Sequence, residues 1–432
     1  MRRMVALTWA STMVGRMSNS TSSAEIRLRR PVPRGIAADG PAVLSYGFRP
    51  FFLLAGIFAP IALVVWIGAL AGYWPVGGRN GPIDWHAHEM LFGYAAAALA
   101  GFVLTAVPNW TGKLPVAGRP LLGLATLWLV GRLANGFPEL VGEGVGALLD
   151  CLFLPVLAGV VIREVVTGKN WKNLRVAAGI SALAALNIAF HVAGLAGWDA
   201  MPVLRLTVVL FTLMITLIGG RIVPSFTRNY LAKAGATRFP RPAGRLDEAV
   251  LLATLVAGLA WGALPQGPVT AALAALAAAL QAVRLAGWRG WATWREPLLG
   301  VLHVGYAFVP VGLAAIALSA LGVMAEPSAL HLITVGAIGL MTLAVMTRAT
   351  RGHTGRALTA SPTTTLSYCC LLAAAVLRPF AEAVPAGYSV LLDTSGVAFI
   401  LAFVLFVVEY APMLLGRSRA GDNRSQRAKH QA

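Results

Sequence analysis

The chain holds 432 residues, of which 57 % are hydrophobic and only 12 % charged, against roughly 25 % charged in a typical soluble domain. That excludes a water-soluble enzyme. A mean hydropathy of +0.72 spreads the apolar excess over more chain than one buried core can use, and repeated membrane spans of about 20 residues each account for it. The formal net charge of +18 is then a signal of topology and not of nucleic-acid binding.

In chain order, residues 1–45 read as a basic, Ser/Thr-rich cytoplasmic tail, because residues 4–14 are too short and too polar for the apolar region of a signal peptide. Apolar runs bounded by Gly, Pro and charge follow at 51–73, 86–107, 121–137, 144–166, 174–197 and 203–220. Six more lie at 246–264, 269–285, 297–322, 329–347, 364–386 and 388–415. The pattern predicts an all-α membrane bundle of twelve transmembrane helices over residues 46–415, closed by a second basic tail at 416–432. With the loops assigned alternately to two sides, 31 of the 35 Lys and Arg fall on the side of the termini. Both termini are therefore expected in the cytoplasm of a bacterial inner-membrane protein.

Three expected cytoplasmic helix ends resemble one another: Val107-Pro108-Asn109-Trp110-Thr111-Gly112, Val223-Pro224-Ser225-Phe226-Thr227-Arg228, and Arg351-Gly352-His353-Thr354-Gly355. The helix before each opens on an aromatic and a cation, as in Phe48-Arg49, Trp171-Lys172 and Trp294-Arg295. Three tandem four-helix units would produce this recurrence, and so would the general enrichment of aromatics and Arg at membrane interfaces.

Cys151, Cys369 and Cys370 lie in apolar runs without a CxxC or CxxCH pattern, which argues against a disulfide scaffold and against covalently attached haem. Histidine is more informative, since an ionisable group within a span is a functional candidate. His86 and His88 open the second helix at its outer end, where spacing i, i+2 points them to different sides. His191 lies about 9 Å inside the fifth helix at 1.5 Å per residue, and His331 sits near the outer end of the tenth. Four histidines thus share a depth, as ligands of one metal must. His303 and His353 belong to the opposite side, as a second pair or singly, and packing is the simpler reading of His353. His430 has no assigned role.

Imidazole without clustered thiolates narrows the metal to haem iron or copper. Glu89 and Met90 could support such a centre, Glu89 by accepting the second ring N–H of a ligating histidine. Asp150, Asp393 and Glu409 are open to three readings: pairing with Arg132, lining a proton path, or helix-end solvation. Arg221 and Arg228 read as interfacial anchors or as partners of haem propionates.

Four stretches carry a resemblance to the NnrS family of bacterial membrane proteins. They are 47–56 (GFRPFFLLAG), 86–112 with HAHEMLFGY and LTAVPNWTG, 219–229 (GGRIVPSFTRN), and 331–355 with HLITVGAIG and TRATRGHTG. The resemblance implies a twelve-helix protein carrying non-covalent b-type haem and copper, linked to nitric oxide metabolism, denitrification and nitrosative-stress tolerance. Its motif histidines are His86, His88, His331 and His353. Combined with depth, this makes His88, His191 and His331 the expected haem-binding set. His86 and His303 are further metal candidates, with Glu89 and Arg221 as supporting groups. The expected partners are the lipid bilayer and nitric oxide or a related nitrogen oxide, with no nucleic acid. The reaction itself is left open, and a secondary transporter or an assembly factor without tightly bound metal is the rival reading. His88 and Trp110 are 22 residues apart, as are His331 and His353. That spacing suggests that the second and tenth helices face each other across a shared outer metal, with the fifth alongside.

Overall fold

The computed structural model describes residues 40–417. The two tails expected at 1–45 and 416–432 fall almost wholly outside the described residues, and His430 with them. Within 40–417 the regular structure is helical throughout.

Twelve helical segments follow the predicted runs. They are α1 (Phe48–Leu70), α2 (Gly78–Thr111), α3 (Arg119–Gly136), α4 (Glu143–Thr167), α5 (Trp171–Ala196), α6 (Met201–Lys233), α7 (Arg245–Ala263), α8 (Pro268–Ala286), α9 (Pro297–Ala320), α10 (Glu326–His353), α11 (Pro362–Phe380) and α12 (Pro385–Leu415). Among the described residues, eleven are long and apolar enough to cross a membrane, and the exception is α3. Arg119, Arg132, Asn135 and three glycines dilute its 18 residues. Part of that polarity is used inside the protein.

Neighbours in sequence pack side by side, and the ring closes where α1 lies against α12. Arg49 fastens this closure. Its guanidinium donates to the carbonyls of Met413 (3.3 Å), Leu414 (2.9 Å) and Gly416 (2.7 Å), which the end of α12 leaves without helical partners. Arg49→Ala is expected to cost about 1.5–3 kcal/mol, the scale of hydrogen bonds from a charged donor. A lowered thermal midpoint in detergent, partly restored by Arg49→Lys, checks this.

The contacts between loops define two ends. At the cation-rich end, Leu44 pairs with Gly118 through the backbone, Asn170 donates to the Trp110 carbonyl and Arg351 meets Glu409. At the other end, Arg79 pairs with Glu143, Arg205 with Glu326, and Ser328 with Glu382. Glu382 lies between spans. Burial pushes its carboxyl upward, but the Arg378 guanidinium at 2.7 Å and the Ser328 hydroxyl outweigh that and hold it below the usual carboxylate range.

α2 runs through the interior, and Leu91 to Ala98 are all buried. Its small residues allow the neighbouring helices to approach closely, as association in lipid favours. Both α2 and α10 widen into π-helix immediately after a histidine: over Glu89–Ala95 following His88, and over Leu332–Gly339 following His331. Such widened turns redirect side chains and recur at functional sites. The Tyr94 hydroxyl meets that of Thr342 at 2.5 Å, linking the π segment of α2 to α10 just past its own π segment.

Two cavities follow the axis where α2, α6 and α10 meet. The smaller, about 70 Å³, is walled only by these three helices. It shares Phe102, Ile218, Ile222 and Val345 with a cavity of about 410 Å³ towards the cation-rich end.

Candidate metal centre

α2 delivers His88 from the last α-helical residue before its π segment and Glu89 from the first residue of that segment, both buried. From α3 come Arg132 and Asn135, three residues apart and so on one face. α4 adds Asp150, and α5 adds Asn187 and His191, which the i, i+4 spacing aligns. Four helices therefore converge on one buried polar cluster.

Two glycines permit the convergence. A Cβ on Gly93 would stand 2.9 Å from Glu89 Oε2 and 3.0 Å from Arg132 Nη1, and a Cβ on Gly131 would stand 2.8 Å from Asp150 Oδ1. Trp128 fixes α3 against α2 by donating its indole N–H to the Gly93 carbonyl at 3.0 Å.

The guanidinium of Arg132 bridges the two acids, donating to Glu89 Oε2 at 2.5 Å and pairing with Asp150 Oδ1. Asn135 donates to Glu89 Oε1 at 2.6 Å, and Asn187 donates to Asp150 Oδ2 at 3.0 Å. His191 Nε2 lies 2.8 Å from Asp150 Oδ2, and His88 Nε2 lies 3.2 Å from the same oxygen and 2.9 Å from Asn187 Oδ1. On its other side, His88 Nδ1 is 3.2 Å from the acceptor Glu89 Oε1 and 3.1 Å from the donor Asn135 Nδ2.

A metal on Nε2 requires the Nδ1–H tautomer, in which Nδ1–H donates to the Glu89 carboxylate and the Nε2 lone pair of His88 faces two oxygens. In that tautomer the Nε2 lone pair, Asn187 Oδ1 and Asp150 Oδ2 are three acceptors converging on a space that a metal ion would fill; in the other neutral tautomer Nε2–H donates into the same space and Nδ1 accepts from Asn135. The charge count agrees: two carboxylates against one guanidinium leave one buried negative charge when both imidazoles are neutral. One ligand atom each from His88, Asp150 and His191 lies within 4.8 Å of the others, close enough to hold a metal ion. Imidazole nitrogen with carboxylate oxygen suits a divalent transition metal.

Residues 42–418 match the sequence profile of the NnrS protein family, nearly the whole chain. The chain belongs to the NnrS family. No curated protein matches it.

The histidines expected from the family resemblance, His86, His88, His331 and His353, take different places. His88 enters the cluster with His191, and their rings stand edge to face with centroids 5.0 Å apart. Among the described residues, the expected trio of His88, His191 and His331 is brought together only in part. His86 points away from His88 and stacks on Trp66 at 4.2 Å, within electrostatic reach of His331 and Arg378. His331 donates from Nδ1 to the Pro327 carbonyl at 2.6 Å. The α2 and α10 histidines thus approach through His86, because the residue two positions on is carried round towards α5.

His303 stands apart, with Nε2 at 3.2 Å from the Thr227 hydroxyl and its ring edge-on to Trp288. Arg221 bonds to Asn173 at 3.1 Å and lines the large cavity at the cation-rich end, away from the cluster. Arg228 donates to the Pro240 carbonyl at 3.1 Å. Of the three spanning acids, Asp150 pairs with Arg132, whereas Glu409 pairs with Arg351 and accepts from Ser361 and Thr364 near a helix end. Asn135, Asn187 and the contact of Asp150 with both histidines were absent from the sequence reading. The signal was available: Asn187 precedes His191 by one helical turn, and Asn135 follows Arg132 by slightly less.

Proposed function

We propose that this NnrS-family protein is a haem- and copper-carrying inner-membrane protein acting on nitric oxide or a related nitrogen oxide, and that His88, Asp150 and His191 hold copper near the periplasmic face. The buried excess of one negative charge around two imidazoles is the observation that carries this reading. Copper bound there supplies one-electron chemistry and an open coordination position for a small ligand. Glu89 fixes the tautomer of His88, Arg132 holds both carboxylates, and Asn135 and Asn187 orient them.

An opening of about 40 Å³ beside His191 reaches the cluster, lined by Arg79, Asn80, Asn135 and Glu143 among others. It has room for a few water molecules or a diatomic gas, and none for a macrocycle. The cluster therefore suits an ion rather than the haem first expected on His88, His191 and His331.

The same proposal sets twelve spans, with α3 as the twelfth, and both termini in the cytoplasm. α3 begins beside Leu44 at the cation-rich end, and the chain leaving it reaches the Arg79–Glu143 contact at the other. Alkaline phosphatase fused after Glu326 should be active and fused after Arg238 inactive; the opposite pattern overturns the orientation. Three tandem four-helix units, each contributing its second helix to the α2, α6 and α10 contact, fit this arrangement.

The decisive experiment is elemental analysis and a visible spectrum of the purified full chain. Copper and a b-type haem spectrum, each at a fixed ratio to protein, are expected. A chain that carries neither after supplementation returns the question to the transporter and assembly-factor readings.

A further inference from the structure

The 410 Å³ cavity lies within the range of small-molecule and cofactor sites. It occurs where the cation-rich ends of α2, α6 and α10 converge, the three ends whose sequences resemble one another. Its walls are largely apolar, with Phe52, Phe102, Ile222 and Phe226 among them, and its polar lining is concentrated in Asn109, Arg221, Arg348 and His353.

Three of these groups are underused. Arg348 stacks over the Phe226 ring at 4.4 Å, and it has neither an ion pair nor a hydrogen bond among the described residues. Arg221 commits one donor, to Asn173, and leaves the rest of its guanidinium available. His353 is held by ring contacts to Tyr46 and Phe48 at 5.5 and 5.4 Å, while its imidazole nitrogens make no hydrogen bond among the described residues. The cavity thus combines an apolar body, two cations and a nitrogen donor with a free lone pair.

We infer that this cavity is the haem site, in which His353 would supply the iron-ligating nitrogen and Arg221 and Arg348 would pair with the propionates. The inference rests on the proposal that the chain carries haem, and places it at the opposite end of the bundle from the copper. The chemistry matches group by group. An apolar macrocycle fills an apolar pocket, guanidinium groups pair with carboxylates through two parallel hydrogen bonds, and imidazole ligates haem iron. Packing against two aromatic rings holds the His353 ring without occupying its nitrogens.

The test compares the full chain with four variants by haem-to-protein ratio, copper content and visible spectrum. His353→Gly is expected to lose haem at least about fivefold or to shift the Soret band, with copper retained. Added imidazole should restore the spectrum of His353→Gly, which separates a lost ligand from misfolding. His353→Met should give a displaced spectrum, and Arg221→Gln combined with Arg348→Gln should lower haem occupancy several-fold. His88→Ala should keep its haem while losing copper. If the full chain binds haem and the His353 and arginine variants keep its spectrum and stoichiometry, the cavity assignment is wrong and the haem lies elsewhere. If the full chain takes up no haem even when reconstituted with hemin, the haem proposal fails and this inference with it.

Discussion

Arg132→Ala is expected to destabilise the protein by about 3–5 kcal/mol, the cost of breaking a buried ion pair by removing one partner. Arg132 is 5 % exposed in its side chain, while Glu89 and Asp150 are each 1 % exposed, so water cannot replace the guanidinium. Two carboxylates held beside one another would then have only the imidazoles and two amides for compensation. Adding Glu89→Gln to Arg132→Ala removes one of the stranded charges and should recover part of the loss. Copper should also stabilise the metal-competent protein, because an ion bound only by the folded state shifts unfolding by mass action. Thermal unfolding in detergent reads all three. An Arg132→Ala midpoint equal to that of the wild type would mean that the carboxylates are neutral or hydrated, and the charge argument for a metal would fall.

Hydropathy carried most of the fold, since a span announces itself through a contiguous apolar run and the loops between runs carry the orienting cations. α3 shows the limit of that signal. Arg132 and Asn135 lower its apolarity because they serve the protein interior, and composition alone does not say which way a side chain faces. The histidines show a second limit. Depth placed His86, His88, His191 and His331 together, and spacing i, i+2 separated His86 from His88, but only the lateral order of helices decides which neighbour each one meets. α5 brings His191 to His88, and α10 brings His331 to the His86 side. The π segments of α2 and α10 had no foreseeable sequence mark, as Glu89–Ala95 and Leu332–Gly339 share little beyond glycine and bulky apolar residues. Asp150 was legible as an intramembrane acid with Arg132 as a candidate partner. Its second role, as the oxygen between two imidazoles, required the packing of α4 against α5.

The strongest expected effect on metal content is at the three direct ligands. His88→Ala, His191→Ala and Asp150→Ala should each abolish stoichiometric copper, because a site of three protein donors retains only two. Glu89→Gln keeps the shape and an acceptor oxygen beside His88 Nδ1 but removes the charge that makes the ligand more basic. Partners in that position are worth about 10–100-fold in metal affinity, so Glu89→Gln should weaken copper by that factor without eliminating it. Both imidazoles must be neutral to bind, which means that affinity should fall as the pH is lowered. His86→Ala should leave copper unchanged, since His86 stacks on Trp66 outside the cluster. This ordering distinguishes the cluster from a site shared between α2 and α10. Copper lost in His86→Ala and His331→Ala but retained in Asp150→Ala would move the ion to the His86–His331 side and leave His88, Asp150 and His191 as a structural ion-pair network.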